Sequence, residues 1–213
     1  MHARMARAGW WTMAVLSALV GVASWRFLFV DAGVLYADHA KRLPGSPGPH
    51  FYGLLRDHWL RFAGHFVFGP IALLVGPTQF LSGLRSRRPR LHRALGYVYV
   101  VSVLISGTAA LALSAGSFGG LTTHVAFGML AVMWVGATVK AVLAARARRF
   151  EEHRRWMVRS FALTLSAVTL RLWMPVFLVM GYSFEAMYQT VAWLSWVPNV
   201  LVAEWLLNRR RRN

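Results

Sequence analysis

Residues 94–115 read ALGYVYVVSVLISGTAALALSA and contain no charged side chain. As an α-helix, this stretch is about 33 Å long, which matches the hydrocarbon core of a bilayer at about 30 Å. Apolar and polar residues do not alternate with the period of two that a barrel strand requires. The stretch therefore predicts a transmembrane helix.

Five further segments of similar length and composition lie on either side of it. Of the 213 residues, 57% are apolar, whereas soluble domains contain about 45–50%. We therefore predict an all-α, polytopic transmembrane helix bundle that forms a single domain over residues 1–213. The six predicted spans cover residues 9–30, 59–84, 94–115, 121–144, 156–181 and 187–207, and an outer loop covers residues 31–57.

Basic residues are concentrated at the ends of the predicted spans. One side of the membrane receives Arg4, Arg7 and the arginines of residues 85–93, 146–159 and 209–212, whereas the opposite side receives few. The positive-inside rule predicts that the arginine-rich side and both termini are cytoplasmic. Because arginine far outnumbers lysine, as is typical of GC-rich genomes, we expect a multi-pass protein of a bacterial inner membrane.

Charge and cysteine content exclude several function classes. The net charge is +17, but the basic residues flank spans instead of forming a soluble basic face, so nucleic-acid binding is not predicted. The absence of cysteine excludes disulfides, thiolate metal sites and iron–sulfur clusters. No phosphate-binding loop or HExxH motif is present, and the one enzymatic role that the residues suggest is that of a membrane oxidoreductase.

Four histidines lie within or beside the predicted spans. His65 and His124 lie near the outer ends of the second and fourth spans, whereas His92 and His153 lie at the inner ends of the third and fifth. Two parallel helices that place imidazoles at one depth can provide both axial ligands of a haem iron. We predict that His65 and His124 bind one haem b, that His92 and His153 bind a second, and that electrons cross the membrane between them. A quinone or another redox partner would exchange these electrons.

The position of the inner histidines at the membrane boundary is an objection to two haems within one bilayer, because about 30 Å of helix would separate the two pairs. Each histidine also has a simpler role, either as a helix-to-helix hydrogen-bonding group or as a contact to lipid headgroups. Glycines of the core spans are expected to let the flat haem ring approach the helices closely, because they have no side chain. These glycines are Gly64, Gly69, Gly76, Gly96, Gly107 and Gly128.

A haem-free function is the alternative. Arg171 lies near the middle of the fifth span, where a charged side chain needs a partner, and Gln79 and Glu204 are the candidates. A site around Arg171, Gln79 and His65 would hold a small molecule, an anion or a lipid for binding or transport. The chain could equally serve as an assembly subunit of a larger membrane complex.

Three motifs carry a resemblance to a known family. They are residues 76–80 (GPTQF), residues 89–99 (PRLHRALGYVY) and residues 153–161 (HRRWMVRSF), followed by LRL at residues 170–172. Over residues 59–175 the chain resembles the bacterial membrane proteins of domain-of-unknown-function family 2306, which implies a multispan membrane protein and no particular activity. The pairing of histidines on alternate spans is similar, more loosely, to cytochrome b-561-type dihaem proteins. That resemblance implies the same four haem ligands.

Overall fold

The computed structural model describes residues 2–29 and 48–209, and within these residues every regular element is helical. The α-helices are α1 (His2–Phe29), α2 (Gly48–Asp57), α3 (Trp59–Val75), α4 (Ser82–Arg87), α5 (Pro89–Ser114), α6 (Leu121–Arg146), α7 (Phe150–Thr164), α8 (Ser166–Val179), α9 (Phe184–Leu194) and α10 (Val197–Arg209). A 3₁₀ turn, Gly76–Phe80, continues α3.

Within the described residues, six helical stretches are long and apolar enough to cross a membrane, which confirms the predicted all-α bundle of six spans. Spans 1 to 6 are Ala8–Trp25, Trp59–Phe80, Pro89–Ser114, Leu121–Arg146, Phe150–Val179 and Phe184–Arg209. The helices of spans 3 and 5 begin about one and a half turns before the predicted positions, inside the arginine-rich segments. Pro89 opens span 3 at a first-turn position that needs no backbone donor. Glu151 and Glu152 stabilise the first turn of span 5 through the helix dipole.

Spans 2 to 5 form a closed ring of four helices. Span 3 packs against spans 2 and 4, while the first half of span 5 packs against span 4 and contacts span 2. Spans 2 and 4 therefore lie opposite each other, as do spans 3 and 5. Span 1 packs on the outside of span 2, and span 6 packs against spans 4 and 5.

Glycines let these helices approach each other closely. A methyl group on Gly107 would lie 2.5 Å from Val135 of span 4, and one on Gly76 would lie 2.2 Å from the ring of Phe161 in span 5. Gly64 and Gly69 likewise face span 3. The expectation that glycines offer a surface to a flat ring is therefore wrong for these four, since their open faces are filled by neighbouring helices.

The predicted outer loop contains a helix. Within residues 31–57, Gly48–Asp57 is helical, and residues 31–47 lie outside the described part of the chain. His50 Nε2 lies 2.7 Å from the carbonyl oxygen of Gly116, and the ring of Phe51 is 6.2 Å from that of Tyr188. This helix therefore packs on the turn between spans 3 and 4 and on the start of span 6.

Candidate histidine sites

His65 is held by span 3. Its Nδ1 atom lies 3.0 Å from the hydroxyl oxygen of Ser106 and 3.3 Å from the carbonyl oxygen of the same residue. The ring is partly buried. These contacts fix the imidazole between spans 2 and 3 at the depth of Ser106.

His124 makes a local contact instead. Its Nε2 atom lies 2.9 Å from the carbonyl oxygen of Ser117, in the turn that precedes span 4. Thr123 donates a hydrogen bond to Phe118 in the same turn, at 2.6 Å. His124 therefore anchors this turn, and its hydrogen bond does not reach His65.

At the arginine-rich end, His92 and His153 belong to the opposite spans 3 and 5. His153 Nδ1 lies 2.8 Å from the carbonyl oxygen of Ala141 in span 4. The Nδ1 atom of His92 is buried and has no hydrogen-bond partner among the described residues. A buried imidazole nitrogen without a partner is costly, so this atom marks an incomplete local environment.

The distance between the His65 and His124 level and the His92 and His153 level can be estimated along the helices. Along span 3, His92 precedes Ser106, the partner of His65, by 14 residues, which corresponds to about 21 Å. Along span 4, His124 precedes Ala141, the partner of His153, by 17 residues, or about 26 Å. Both values are below the separation of about 30 Å expected from the sequence and lie within one hydrocarbon core.

The ring of spans sets which histidines face each other. His65 and His124 belong to opposite spans 2 and 4 at one end of the bundle, and His92 and His153 belong to opposite spans 3 and 5 at the other. Neighbouring helices pack at about 8–10 Å, so opposite helices in a ring of four are about 11–14 Å apart. The described residues contain no group of three or more histidine, aspartate or glutamate side chains that could hold a free metal ion.

Between the two levels lies a buried network of hydroxyl and indole groups that the sequence did not predict. The Tyr99 hydroxyl lies 2.8 Å from the hydroxyls of Ser160 and Thr164, and Trp134 Nε1 donates to Thr164 at 2.9 Å. Thr138 joins through a 2.7 Å contact to Ser160. The signal was present in the i, i+4 spacing of 134 with 138 and of 160 with 164, which places polar side chains on one face of each helix.

The candidate partners of Arg171 are not its partners. Arg171 donates to Ser24 of span 1 at 3.0 Å and to the carbonyl oxygen of Ala167 at 2.8 Å. Glu204 instead forms a two-fold ion pair with Arg159, with Nη2 and Oε2 3.0 Å apart. Gln79 donates to Thr78 at 3.3 Å. Sequence depth alone misplaced Glu204, because it lies near the arginine-rich end of span 6 rather than beside Arg171.

Six apolar spans around a buried core define a multi-pass integral membrane protein. The chain belongs to the family described as Predicted membrane protein (DUF2306), whose family model matches residues 62–207. This match includes the four-span ring and all four histidines, and it confirms the family predicted from the sequence. No curated protein and no solved structure matches the chain.

Proposed function

We propose that this membrane protein binds haem b at two levels of its four-span ring and carries electrons between them. The observation that carries the proposal is the placement of four histidines on opposite helices at two depths. Cofactor sites in helical bundles are commonly built from side chains on facing helices in this way. A bound haem would supply one-electron redox chemistry, for which a quinone or a redox protein is the fitting partner class.

The pair at the arginine-rich end fits a haem on three counts. His92 and His153 lie at the same end of opposite spans, and within the described part of the chain the buried Nδ1 atom of His92 has no hydrogen-bond partner. His153 contacts the Ala141 carbonyl through Nδ1, which leaves Nε2 for an iron. Ligating histidines usually donate their other nitrogen to a carbonyl in this manner, which fixes the ring orientation. Nearby arginines suit the propionates.

The opposite pair fits only in part. His65 has the same pattern as His153, because Nδ1 contacts Ser106 and leaves Nε2 for a ligand. His124 contacts Ser117 through Nε2, so it could ligate only through Nδ1 or after release from this turn. The geometry therefore supports the His92 and His153 site more strongly than the His65 and His124 site, which reverses the ranking that depth along the sequence implied.

The residues between the two levels have a defined part in this proposal. Tyr99, Ser160 and Thr164 are buried, and their hydroxyl groups satisfy one another. The layer therefore needs no bound water to complete its hydrogen bonds. It keeps two redox sites apart by packed side chains rather than by a water-filled channel, which limits proton leakage across the membrane.

Absorption spectra of the detergent-purified protein test the proposal. Protein expressed with ample haem is compared before and after dithionite reduction, and haem is quantified per chain. We expect sharp reduced bands that weaken in His92→Ala and in His153→Ala. His58→Ala is the matched control, because His58 is exposed and lies before span 2. Loss of the spectrum in His58→Ala to the same extent would show that the effect is not specific to the ring.

The variants of the opposite pair decide how many haems are bound. Two bound haems predict that His65→Ala and His124→Ala each remove one haem per chain and spare the other. Full haem content in both variants would restrict the site to His92 and His153. A featureless spectrum of the wild type would exclude haem and favour the small-molecule alternative near His65 and Arg171.

The orientation belongs to the same proposal. We infer that the arginine-rich end faces the cytoplasm of a bacterial cell and that the haem levels lie across its inner membrane. The exposed arginines at the ends of spans 3 and 4 support this orientation through the positive-inside rule. Reporter fusions at both termini test it, since both should report a cytoplasmic location.

A further inference from the structure

A cluster of cationic side chains surrounds one indole where spans 4, 5 and 6 meet. Lys140 Nζ and the guanidinium carbon of Arg159 each lie 4.6 Å from the centre of the Trp156 ring. The two positive groups are therefore at most about 9 Å apart, the sum of the two distances. Arg159 also pairs with Glu204.

Positive charge exceeds negative charge in this cluster. Arg159 takes both carboxylate oxygens of Glu204, whereas Arg155 donates to the carbonyl oxygen of Leu207. Lys140 has no carboxylate within ion-pair distance among the described residues. The nearest acidic residues along span 5 are already paired, Glu151 with Arg154 and Glu152 with Arg149.

Lys140 occupies an unusual depth for a lysine that only marks the membrane boundary. It precedes Arg146, the last residue of its helix, by six residues, which places it about 9 Å further toward the membrane centre. Its side chain is exposed, and its neighbours Val139 and Leu143 are 39% and 54% exposed. The ammonium group therefore lies beside a surface that acyl chains cover, and it is held over Trp156.

We propose that Lys140 and Arg159, both held against Trp156, bind the phosphate of an anionic phospholipid headgroup. The excess positive charge selects an anionic headgroup, and the exposed apolar face of span 4 receives the acyl chains. Basic pockets between spans are the usual sites of this recognition. The proposal does not depend on haem, because none of these residues contacts the four histidines through a hydrogen bond or ion pair in the described structure.

Native mass spectrometry of the detergent-purified full chain tests this site. The protein is titrated with phosphatidylglycerol, with phosphatidylcholine of the same acyl chains, and with inorganic phosphate. We expect phosphatidylglycerol to bind the wild type more tightly than phosphatidylcholine does. In Lys140→Ala its binding should weaken about tenfold or more, because a direct hydrogen bond to a charged group contributes about 1.5–3 kcal/mol. Lys140→Arg should restore binding.

Arg146→Ala is the matched control, since it removes one exposed positive charge from the same helix outside the cluster. Equal weakening in Arg146→Ala and Lys140→Ala would overturn the proposal, because only net charge would then matter. Equal binding of the two lipids, or unchanged binding in Lys140→Ala, would also overturn it. Competition by inorganic phosphate at concentrations similar to the lipid would assign the site to a free anion instead. Haem content measured on the same samples separates this result from that of the electron-transfer proposal.

Discussion

Replacing Gly76 with alanine should destabilise the closed ring of spans at one defined contact. The new methyl group would lie 2.2 Å and 2.5 Å from two ring carbons of Phe161, well inside van der Waals contact. Gly76 has helical dihedrals, φ −50° and ψ −51°, and it precedes Pro77, whose ring disfavours this conformation for a residue that carries a Cβ. The effect therefore combines the clash between spans 2 and 5 with local backbone strain before Pro77.

The surroundings of Phe161 set the size of the effect. Its side chain is 3% exposed, its ring centre is 5.3 Å from that of Phe80, and the Tyr99 ring approaches the same methyl position to 3.3 Å. The ring cannot withdraw without displacing both neighbours. Overpacking of this kind costs about 1–3 kcal/mol, and the lower chain entropy of alanine offsets about 0.4–1 kcal/mol. We expect a net loss of about 1–2 kcal/mol in the free energy of unfolding.

Unfolding in detergent, followed by circular dichroism during heating or SDS titration, measures this change. Gly136→Ala is the control, because a methyl group on Gly136 of span 4 would meet no atom within 4 Å. That variant should gain about 0.5–1 kcal/mol from the better helix propensity of alanine. If Gly76→Ala were as stable as Gly136→Ala, the close contact between Gly76 and Phe161 would not exist in the protein, and the ring would be open at this point.

Two further changes test the buried polar contacts by the same unfolding measurement. Tyr99→Phe should lower stability by about 0.6–1.7 kcal/mol, because the hydroxyl bonds to Ser160 and Thr164 are lost, and its effect should not add to that of Thr164→Val. Glu204→Gln should lower stability by about 1 kcal/mol, because the partly exposed ion pair with Arg159 is lost, and added salt should narrow the difference from the wild type. Additive effects in the first case, or a salt-independent difference in the second, would contradict these contacts.

The number and type of the spans could be predicted from the sequence because the bilayer sets a strict requirement. Each span needs about 20 apolar residues, and its backbone must satisfy itself as a helix. Residues 94–115 meet this requirement without ambiguity. The exact ends could not be predicted, since apolarity stops at the arginines whereas hydrogen bonding continues to Pro89 and Phe150. The helix Gly48–Asp57 was also missed, because its length and polarity fit a loop equally well.

The partners of individual polar residues were harder to predict than their depths. The sequence correctly separated His65 and His124 from His92 and His153 by their position along the spans. It could not predict that Ser106 contacts His65, that Ser117 contacts His124 or that Ala141 contacts His153. The rotation of each helix about its axis, which sets these contacts, depends on packing. The rotation of span 5 about its axis also determines that Arg171 donates to Ser24 of span 1. A single sequence indicates how deep a side chain lies in the membrane, but it says little about which neighbouring helix that side chain faces.

Residues that touch no histidine determine the geometry on which the haem proposal depends. Lipid tails are as apolar as leucine side chains, so burial of apolar surface does not drive one span against another, and close packing and hydrogen bonds must do so. Tyr99 provides such bonds between spans 3 and 5, and it lies seven residues from both His92 and Ser106. Gly107 allows spans 3 and 4 to approach each other closely, and Gly76 does the same for spans 2 and 5. Because these contacts fix which spans face each other, changes at Tyr99 or Gly107 should alter the spacing of the opposite histidines, even though neither residue belongs to a proposed haem site.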